Sequence, residues 1–287
     1  MMRMGIVGAE NSHARNMAKN LNVDKHVRGF RVTHLWGETR KFARQTAQVG
    51  EIPNIVSRPK DMLGQVDCVM VCHRDGGPHV AAARPFVKAG LPVFIDKPLS
   101  TSLAQAKSLM RLRKETGAPI VSSSALPLQR CARETRQELG KLGTLHWLHL
   151  SGSGDWRSKY GGIFFYGIHQ ADLLVELVGT DARHVWMTTN RDRTNILVNF
   201  PDGLTAVLSV VPGARGWTVD ARGDKGMLQK PFTMDPNSHL VTARLVTRMF
   251  RTGVEPIEQT RMLAPVALLE AARKSRERGR RVAVGRL

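Results

Sequence analysis

The sequence predicts an α/β fold that begins with a doubly wound parallel sheet and continues with an α+β domain whose open sheet is mostly antiparallel. Strand-like and helix-like segments alternate over residues 1–121, and the strand-like segments are almost continuously apolar, as in strands buried on both faces. Beyond residue 122, strand-like runs follow one another through tight turns. The 287 residues are enough for two domains, which we place at 1–121 and 122–287.

Five strands are predicted in the first domain, at residues 4–7, 30–36, 66–72, 92–95 and 119–121. Helices join them, because apolar residues between the strands recur at helical spacing. The first helix, for example, places Ala14, Met17 and Leu21 on one face, and Asn11 or Ser12 is positioned to cap it. Repeated β–α–β units of this kind form a doubly wound parallel sheet.

The second domain is predicted to begin with a helix at 128–139, a strand at 144–150 and a helix at 168–178. Four strand-like runs follow, at residues 184–189, 196–200, 204–211 and 217–221. Pro201-Asp202-Gly203 separates the second and third of these runs and is typical of a hairpin turn. The consecutive runs therefore favour an antiparallel sheet, which a C-terminal helix around Val266 follows.

The composition is that of a globular protein with an excess of basic residues. Forty-three Lys and Arg against 24 Asp and Glu give a net charge of +19, which attracts polyanions. The basic residues are nevertheless spread along the chain, and only 6% of the residues are aromatic, without the interleaving of a nucleic-acid stacking platform. We therefore do not expect a nucleic-acid partner.

The sequence also lacks the patterns of membrane and secreted proteins. No apolar run approaches the roughly 20 residues that cross a bilayer, and the first residues do not read as a signal peptide. We expect a cytoplasmic protein without a membrane partner, in which the three cysteines are buried free thiols.

Candidate site residues follow the strands, because ligands of a doubly wound sheet bind beyond the carboxyl ends of its strands. The first strand is followed by Gly8, Ala9, Glu10, Asn11, Ser12 and His13. A dinucleotide-binding turn reads G-x-G-x-x-G at this point, and here Glu10 and His13 replace the second and third glycines. The helix start still offers amides to a phosphate, so the turn is either a weakened phosphate cradle or a plain strand–helix connection.

The second strand is followed by a carboxylate and basic residues. Glu38 could bind a ribose hydroxyl, and Arg40 could bind a 2′-phosphate. A solvated helix start is the other interpretation. This segment leaves the choice between NAD and NADP open.

Further candidates follow the third and fourth strands. Lys97 lies at the end of a strand, next to Asp96, which could tune its pKa, and before Pro98, which holds the lysine backbone extended. Cys72, His73 and His79 could line the cofactor, although the two histidines could equally cap the next helix.

In the second domain, His169 follows a glycine-rich turn and an aromatic pair. Its ordinary pKa near 6.5 suits proton exchange, although a lone histidine is more often structural. The candidate substrate contacts are Asp155, Trp156, Tyr166 and Asp172, and the loop that holds the first two is either a contact for an anionic substrate or a charged linker. No set of Cys or His has metal-ligand spacing, so no metal site is predicted.

Together these segments resemble the glucose–fructose oxidoreductase, inositol dehydrogenase and rhizopine-catabolism family, written Gfo/Idh/MocA. The matching segments are G-I-V-G at the first strand, V-D-C-V-M-V-C with His79 and F-I-D-K-P-L-S, G-G-I-F-F-Y-G-I-H-Q-A-D, and the closing A-L-L-E-A-A-R-K-S-R-E-R-G-R-R-V. The resemblance implies a Rossmann domain and a second domain whose open sheet forms a homo-oligomer, dimer or tetramer. It implies hydride transfer between NAD or NADP and a small-molecule substrate, a sugar, cyclitol or related hydroxyl or carbonyl compound.

The resemblance also implies individual roles. Lys97 matches the family's active-site lysine, which bonds the reacting oxygen, and His169 matches its catalytic histidine. Phe165 stands where the family has a catalytic aspartate, and Asp172 matches a second aspartate that is expected to anchor the helix. These departures keep two alternatives open: a non-redox ligand-binding or regulatory protein, and another enzyme, such as a lyase or hydrolase, that keeps the cofactor for a transient oxidation.

Overall fold

The computed structural model describes residues 1–287, which form two compact units. The first unit contains Met1–Ser100, Ala104–Ser123 and Asn237–Glu258, and the second contains Thr101–Leu103, Ser124–Pro236 and Gln259–Leu287. The division after residue 121 stays a prediction. The return of 237–258 to the first unit was not predicted.

The sheet of the first unit has six parallel strands. They are β1 (Met2–Val7), β2 (Phe30–Trp36), β3 (Asn54–Ile55), β4 (Cys68–Val71), β5 (Val93–Ile95) and β6 (Ile120–Val121). Their order, β3-β2-β1-β4-β5-β6, is that of a doubly wound sheet with β1 in the centre, which confirms the prediction. Only β3 was missed, because its two residues are exposed and carry no apolar run.

The helices of the first unit are α1 (Ser12–Ala18), α2 (Arg40–Gly50), α3 (His79–Lys88) and α4 (Leu103–Thr116). Asn11 caps α1, since its side chain accepts a hydrogen bond from the His13 amide at 3.1 Å. The chain folds into a short π-helical turn directly after α1, at Lys19–Val23. Both arrangements hold α1 against the carboxyl end of β1, where the candidate turn lies.

The segment 237–258 is joined to the rest of the first unit by a partly buried ion pair. Arg113 of α4 donates two hydrogen bonds to Glu255, at 2.8 and 2.7 Å. The same carboxylate accepts the Ile120 amide of β6 at 2.8 Å. These contacts join the segment to the edge of the sheet, although their partners are distant in sequence.

The sheet of the second unit has seven strands. In chain order they are β7 (Leu145–Ser153), β8 (His184–Asn190), β9 (Arg193–Asn199), β10 (Thr205–Val211), β11 (Trp217–Gly223), β12 (Gly226–Phe232) and β13 (Val282–Ala283). The order is β12-β11-β7-β10-β9-β8-β13, and only β7 and β10 pair in parallel. The mostly antiparallel sheet is therefore confirmed. The mainly exposed β12 and the short β13 were not predicted.

Three helices of the second unit pack around this sheet: α5 (Arg130–Gly140), α6 (Phe164–Val178) and, near the C-terminus, α8 (Gln259–Arg278). Another helix, α7 (Ser238–Thr252), lies in the first unit. The predicted start of α6 at residue 168 was wrong by one helical turn, because Gly167 does not interrupt the helix but packs against Ile163 and Leu269. Phe165 therefore lies on α6 one turn before His169. No helix has the length and apolar character of a membrane span.

Gly8 is the position where the first unit tolerates no side chain. Its φ is +109°, and a Cβ atom there would lie 2.6 Å from the amide nitrogen of His73. We expect Gly8→Ala to lower the free energy of unfolding by about 3 kcal/mol, the sum of a strained backbone and a steric clash. Gly64→Ala, at φ +77° with no atom within 4 Å, is the matched control and loses about 1 kcal/mol. Equal losses in urea unfolding of both variants would show that the close approach is unimportant.

Candidate functional site

The turn after β1 is closed by a carboxylate from the end of β2. Glu38 Oε2 accepts the amides of Ala9 and Glu10, at 2.8 and 3.0 Å. The other oxygen, Oε1, is buried and has no hydrogen-bond partner. A buried carboxylate oxygen without a donor is unfavourable, so Glu38 has the capacity to accept one further hydrogen bond from a ligand.

Asp96, directly after β5, is a buried carboxylate that organises the side chains around it. Asn11 Nδ2 donates to its Oδ2 at 2.8 Å, and His13 Nδ1 lies 2.8 Å from the same oxygen. Burial raises the pKa of Asp96, but the charge and hydrogen bond of His13, with the charge of Lys97, outweigh burial and hold the pKa well below its usual range. His13, which replaces a fingerprint glycine, is thus the partner of an ionised carboxylate.

Cys72, directly after β4, contacts the same carboxylate. Its Sγ lies 3.8 Å from Asp96 Oδ2, and its side chain has no exposed surface. Burial, together with the negative charge of Asp96, raises the pKa of the thiol well above its usual value, so the group stays protonated. The role of Cys72 as a cofactor contact stays a prediction.

Lys97 is almost fully buried, at 7% exposure. Burial lowers its pKa, against the attraction of Asp96. The following Pro98 is joined by a cis peptide bond, and its ring lies against Gly76, where a Cβ atom would be 2.3 Å from the proline Cγ. A lysine with a lowered pKa at the carboxyl end of a central strand is suited to hold and exchange a proton at a ligand oxygen.

The two histidines after β4 support this loop. His79 is completely buried, with Nδ1 2.6 Å from the carbonyl oxygen of Pro98 and Nε2 3.0 Å from that of His73. Neither histidine caps α3, whose N-cap is Pro78, so that alternative was wrong. The cofactor contact of His79 stays a prediction. His73 retains 8% exposure, and its Nδ1 has no partner.

A cavity of about 410 Å³ opens beside the end of β2. Trp36, Thr39, Arg40, Arg44 and Ser57 are among the residues that line it, whereas Glu38 is not. Arg40, the predicted partner of a 2′-phosphate, therefore lies in a cavity separate from the carboxylate that could bind a ribose hydroxyl. Glu38 therefore stays a candidate partner of a ribose hydroxyl, and Arg40 stays a candidate partner of a 2′-phosphate.

In the second unit, Asp172 anchors α6. Its carboxylate accepts the Ser124 amide at 2.6 Å and a hydrogen bond from the guanidinium of Arg261, which also donates to the Asp172 carbonyl oxygen at 2.8 Å. His169 Nδ1 lies 2.7 Å from Ser124 Oγ. Because both carboxylate oxygens of Asp172 accept hydrogen bonds from protein groups, the anchoring role fits this geometry, and the substrate contact stays a prediction.

Five rings form a continuous aromatic cluster on α6, the loop before it and β11. The ring centroids are 5.0 Å apart for Tyr160 and Phe165, 4.9 Å for Phe165 and Tyr166, and 5.5 Å for Tyr166 and His169. Trp217 completes the cluster at 6.2 Å from His169. The structure thus brings Tyr166 next to His169 on α6, and the site roles of both residues stay predictions.

Asp155 and Trp156 lie outside the aromatic cluster. The guanidinium of Arg276 stacks on the Trp156 ring at 3.8 Å, and the indole nitrogen donates to the Arg191 carbonyl oxygen at 3.4 Å. Asp155 accepts the amide of Arg157 at 2.8 Å. These contacts fix the loop itself, and the substrate roles of both residues stay predictions.

The first unit resembles known proteins in sequence. Residues 2–123 match the family model described as an oxidoreductase family with an NAD-binding Rossmann fold, GFO_IDH_MocA. Residues 2–123 are therefore similar to the NAD-binding Rossmann fold of the Gfo/Idh/MocA family.

Solved structures extend the similarity of fold to both units. A structure of GenD2 from gentamicin A biosynthesis in complex with NAD has a TM-score of 0.86 at 20% identity and covers 99% of this chain and 97% of its own. Scyllo-inositol dehydrogenase from Lactobacillus casei, with NAD(H) and scyllo-inositol, has a TM-score of 0.85 at 16% identity and covers 99% of each chain. At these identities the likeness concerns the fold.

The similarity in sequence is more limited. The uncharacterized oxidoreductase YhhX of Escherichia coli is 27% identical over 125 residues, which are 40% of this chain and 36% of YhhX. The chain therefore matches about a third of the length of this relative.

Several residues of the candidate site were not assigned from the sequence. Ser124, which contacts both His169 and Asp172, is the last of three consecutive serines in a loop that carries no periodic pattern. Trp217 and Arg261 come from distant segments. Of these residues only Arg261 carries a signal in the sequence, because it is a charged residue directly before an apolar stretch of a helix.

The pKa of His73 gives a testable pH dependence. Burial, and after it the neighbouring His79, lowers the pKa to about 4. The unfolded chain therefore binds this proton near pH 6.5 and the folded chain does not, so stability is present above pH 6.5 and falls as the pH drops towards 4. We expect His73→Asn to reduce this loss by about 2–3 kcal/mol in urea unfolding at pH 7 and pH 4. His26→Asn, at an exposed position, is the control, and an unchanged pH dependence in His73→Asn would contradict the assignment.

Proposed function

We propose that the chain is an oxidoreductase that transfers a hydride between a nicotinamide dinucleotide and a hydroxyl or carbonyl compound. The observation that carries this proposal is the buried Lys97, with its lowered pKa, beside the ionised Asp96 at the end of β5. The family of residues 2–123 and the fold shared with NAD-bound structures support it. The sugar or cyclitol of the family is one substrate class within this proposal.

The residues of the first unit fit the adenosine end of the cofactor. The buried, unpartnered Oε1 of Glu38 matches the hydrogen-bond donor of a ribose hydroxyl. A 2′-phosphate would be repelled by this carboxylate, so we propose a preference for NAD over NADP. Arg40 and Arg44 would be the partners of that phosphate if the preference were reversed. The cofactor supplies the hydride chemistry, and the protein positions it and manages the proton.

The proton is assigned to two side chains. Lys97 would bond the reacting oxygen and exchange its proton, for which a lowered pKa is favourable. His169 is oriented through Nδ1 by Ser124 Oγ at 2.7 Å, and we assign its imidazole to proton exchange with the substrate oxygen. Ser124 is in turn held by the anchored Asp172, so it is a positioning residue for His169.

We also propose that the open face of the second sheet binds a second copy of the chain. Trp147 and Trp186 are 38% and 46% exposed on this face, where a groove of about 400 Å³ is also lined by Leu197 and Val207. None of the residues lining the groove is Lys, Arg, Asp or Glu, although the chain carries a net charge of +19. A charge-free patch with exposed tryptophans is typical of the core of a protein interface.

Trp186→Arg tests this interface, because a charge at the centre of an apolar contact is left unpaired on association. We expect the wild-type protein to sediment as a dimer or tetramer at about 10 µM. In the variant, the dissociation constant of the assembly should rise at least tenfold, so that more of the protein sediments as monomer. Val254→Arg, which places the same charge at a 67% exposed apolar position of the first unit, should leave the assembly unchanged. A monomeric wild-type protein would refute the proposal.

The function is tested by cofactor titration and turnover together. We expect saturable NADH fluorescence below about 100 µM and weaker NADPH binding, and we expect Glu38→Gln to weaken NADH roughly tenfold through loss of a charge-assisted hydrogen bond. Lys97→Met should keep the NADH affinity but lower turnover at least a hundredfold, because it removes the proton-exchanging group. The exposed Lys88→Met is the control for loss of a lysine.

Two outcomes of these titrations would overturn the proposal or part of it. Failure of both dinucleotides to bind at millimolar concentration would refute the redox function and favour the non-redox alternative. Tighter binding of NADPH than of NADH would assign the adenosine end to Arg40 and Arg44 instead of Glu38.

A further inference from the structure

We infer that the aromatic cluster of Tyr160, Phe165, Tyr166, His169 and Trp217 binds the flat face of an aromatic or conjugated ring, and that the indole N–H of Trp217 donates to an oxygen of that ligand. The inference rests on the proposed function, in which His169 belongs to the substrate site. It narrows the substrate from a hydroxyl-rich sugar or cyclitol to a planar compound that bears a carbonyl or carboxylate oxygen.

Two glycines of β7 and the following loop provide the space for this cluster. A Cβ atom at Gly152 would lie 2.0 Å from Trp217 Cδ1, and one at Gly154 would lie 3.1 Å from Tyr166 Cβ. Neither glycine has a positive φ, so neither is required by the backbone conformation. Gly152 is required by the ring of Trp217 that lies against it, whereas Gly154 makes room first for Val210 Cγ1, at 2.4 Å, and then for Tyr166.

Trp217 supplies the polar contact. Its Nε1 is buried and has no hydrogen-bond partner in the structure. Buried indole N–H groups ordinarily find an acceptor, because an unpaired one costs about 1–3 kcal/mol. The ring of Trp217 contacts His169, the residue assigned to the substrate oxygen, so a ligand acceptor that satisfies Nε1 would lie next to that histidine.

The same cluster offers little to a polyol. Each hydroxyl of a sugar or cyclitol has a proton to donate, and buried donors need acceptors. Phe165 has no acceptor at the position of the family's aspartate, and both carboxylate oxygens of Asp172 are engaged by Ser124 and Arg261. A hydroxyl-rich ligand would therefore find no carboxylate at Phe165 and would have to share the carboxylate of Asp172 with two protein donors.

The rings, in contrast, suit a planar ligand. Aromatic rings pair through offset-stacked and edge-to-face contacts, and the contacts within the cluster, tilted and T-shaped, have this geometry. Both tyrosines of the chain and one of its five tryptophans lie in the cluster, although only 6% of the residues are aromatic. This concentration at one place distinguishes the cluster from the scattered apolar core.

Three small probes test the inference on the NADH-saturated protein by calorimetric titration and saturation-transfer NMR. Benzoate and cyclohexanecarboxylate carry the same charge and differ in the planarity of the ring, and myo-inositol represents the hydroxyl-rich class. We expect benzoate to bind at least tenfold more tightly than either of the others. Equal binding of the two carboxylates would show a general attraction of anions to a basic protein, and tighter binding of myo-inositol would restore the polyol class; either result overturns the inference.

Two variants assign the contacts. Trp217→Phe keeps a ring but removes the N–H, and we expect it to weaken benzoate five- to tenfold, the loss of one hydrogen bond. Phe165→Asp restores a carboxylate, and we expect it to weaken benzoate and to strengthen myo-inositol. Unchanged benzoate affinity in Trp217→Phe, with thermal unfolding like that of the wild type, would refute the role of Nε1.

The NADH affinity of each sample separates the two proposals. NADH binding without any preference for benzoate would refute this inference and leave the proposed function standing. Binding of benzoate that depends on Trp217, without binding of either dinucleotide, would support the aromatic site and refute the redox function. Absence of both would refute both.

Discussion

The burial of one carboxylate in each unit is the constraint on which the rest of the candidate site depends. Transfer of an ionised carboxylate from water into a protein interior costs several kcal/mol unless charges and hydrogen bonds compensate it. In the first unit, Asp96 is compensated by Asn11 and His13 from the turn after β1 and by the charge of Lys97. This requirement for compensation joins the turn after β1, the end of β5 and Lys97. Removal of any partner would leave the buried charge of Asp96 uncompensated.

Asp172 has the corresponding role in the second unit. Arg261 from α8 and the Ser124 amide engage its carboxylate, and Ser124 Oγ in turn contacts His169. Each unit thus uses a saturated carboxylate, which takes no part in proton exchange, to position one side chain that can exchange a proton. This arrangement explains why Asp96 and Asp172 are almost fully buried while His169 and Tyr166 keep exposed surface.

The departures from the family pattern have local explanations of different kinds. His13 replaces a glycine but satisfies Asp96, and Glu38 uses two amides of the turn, so the altered fingerprint is a compensated arrangement. At Phe165, no negative charge replaces that of the family's aspartate. Instead it joins a continuous set of rings with Tyr160 and Tyr166. The first change keeps the turn after β1 closed by hydrogen bonds, whereas the second places an aromatic ring where the family pattern has a carboxylate.

The sequence by itself determined the parallel sheet, the mostly antiparallel second sheet and the position of Lys97 at the end of a strand. It did so because apolar runs, helical spacing and hairpin turns are local properties, as the agreement over Phe30–Trp36 shows. It did not predict β3, β12, β13 or α7, which are short, exposed or held by distant partners such as Arg113 and Glu255. Only the tertiary structure decided that His13 pairs with Asp96, that Glu38 turns towards Ala9 and Glu10, and that Trp217 lies beside His169. A hydrogen bond or ring contact depends on where two remote segments meet, and neither the identity of a side chain nor its spacing along the chain specifies that meeting point.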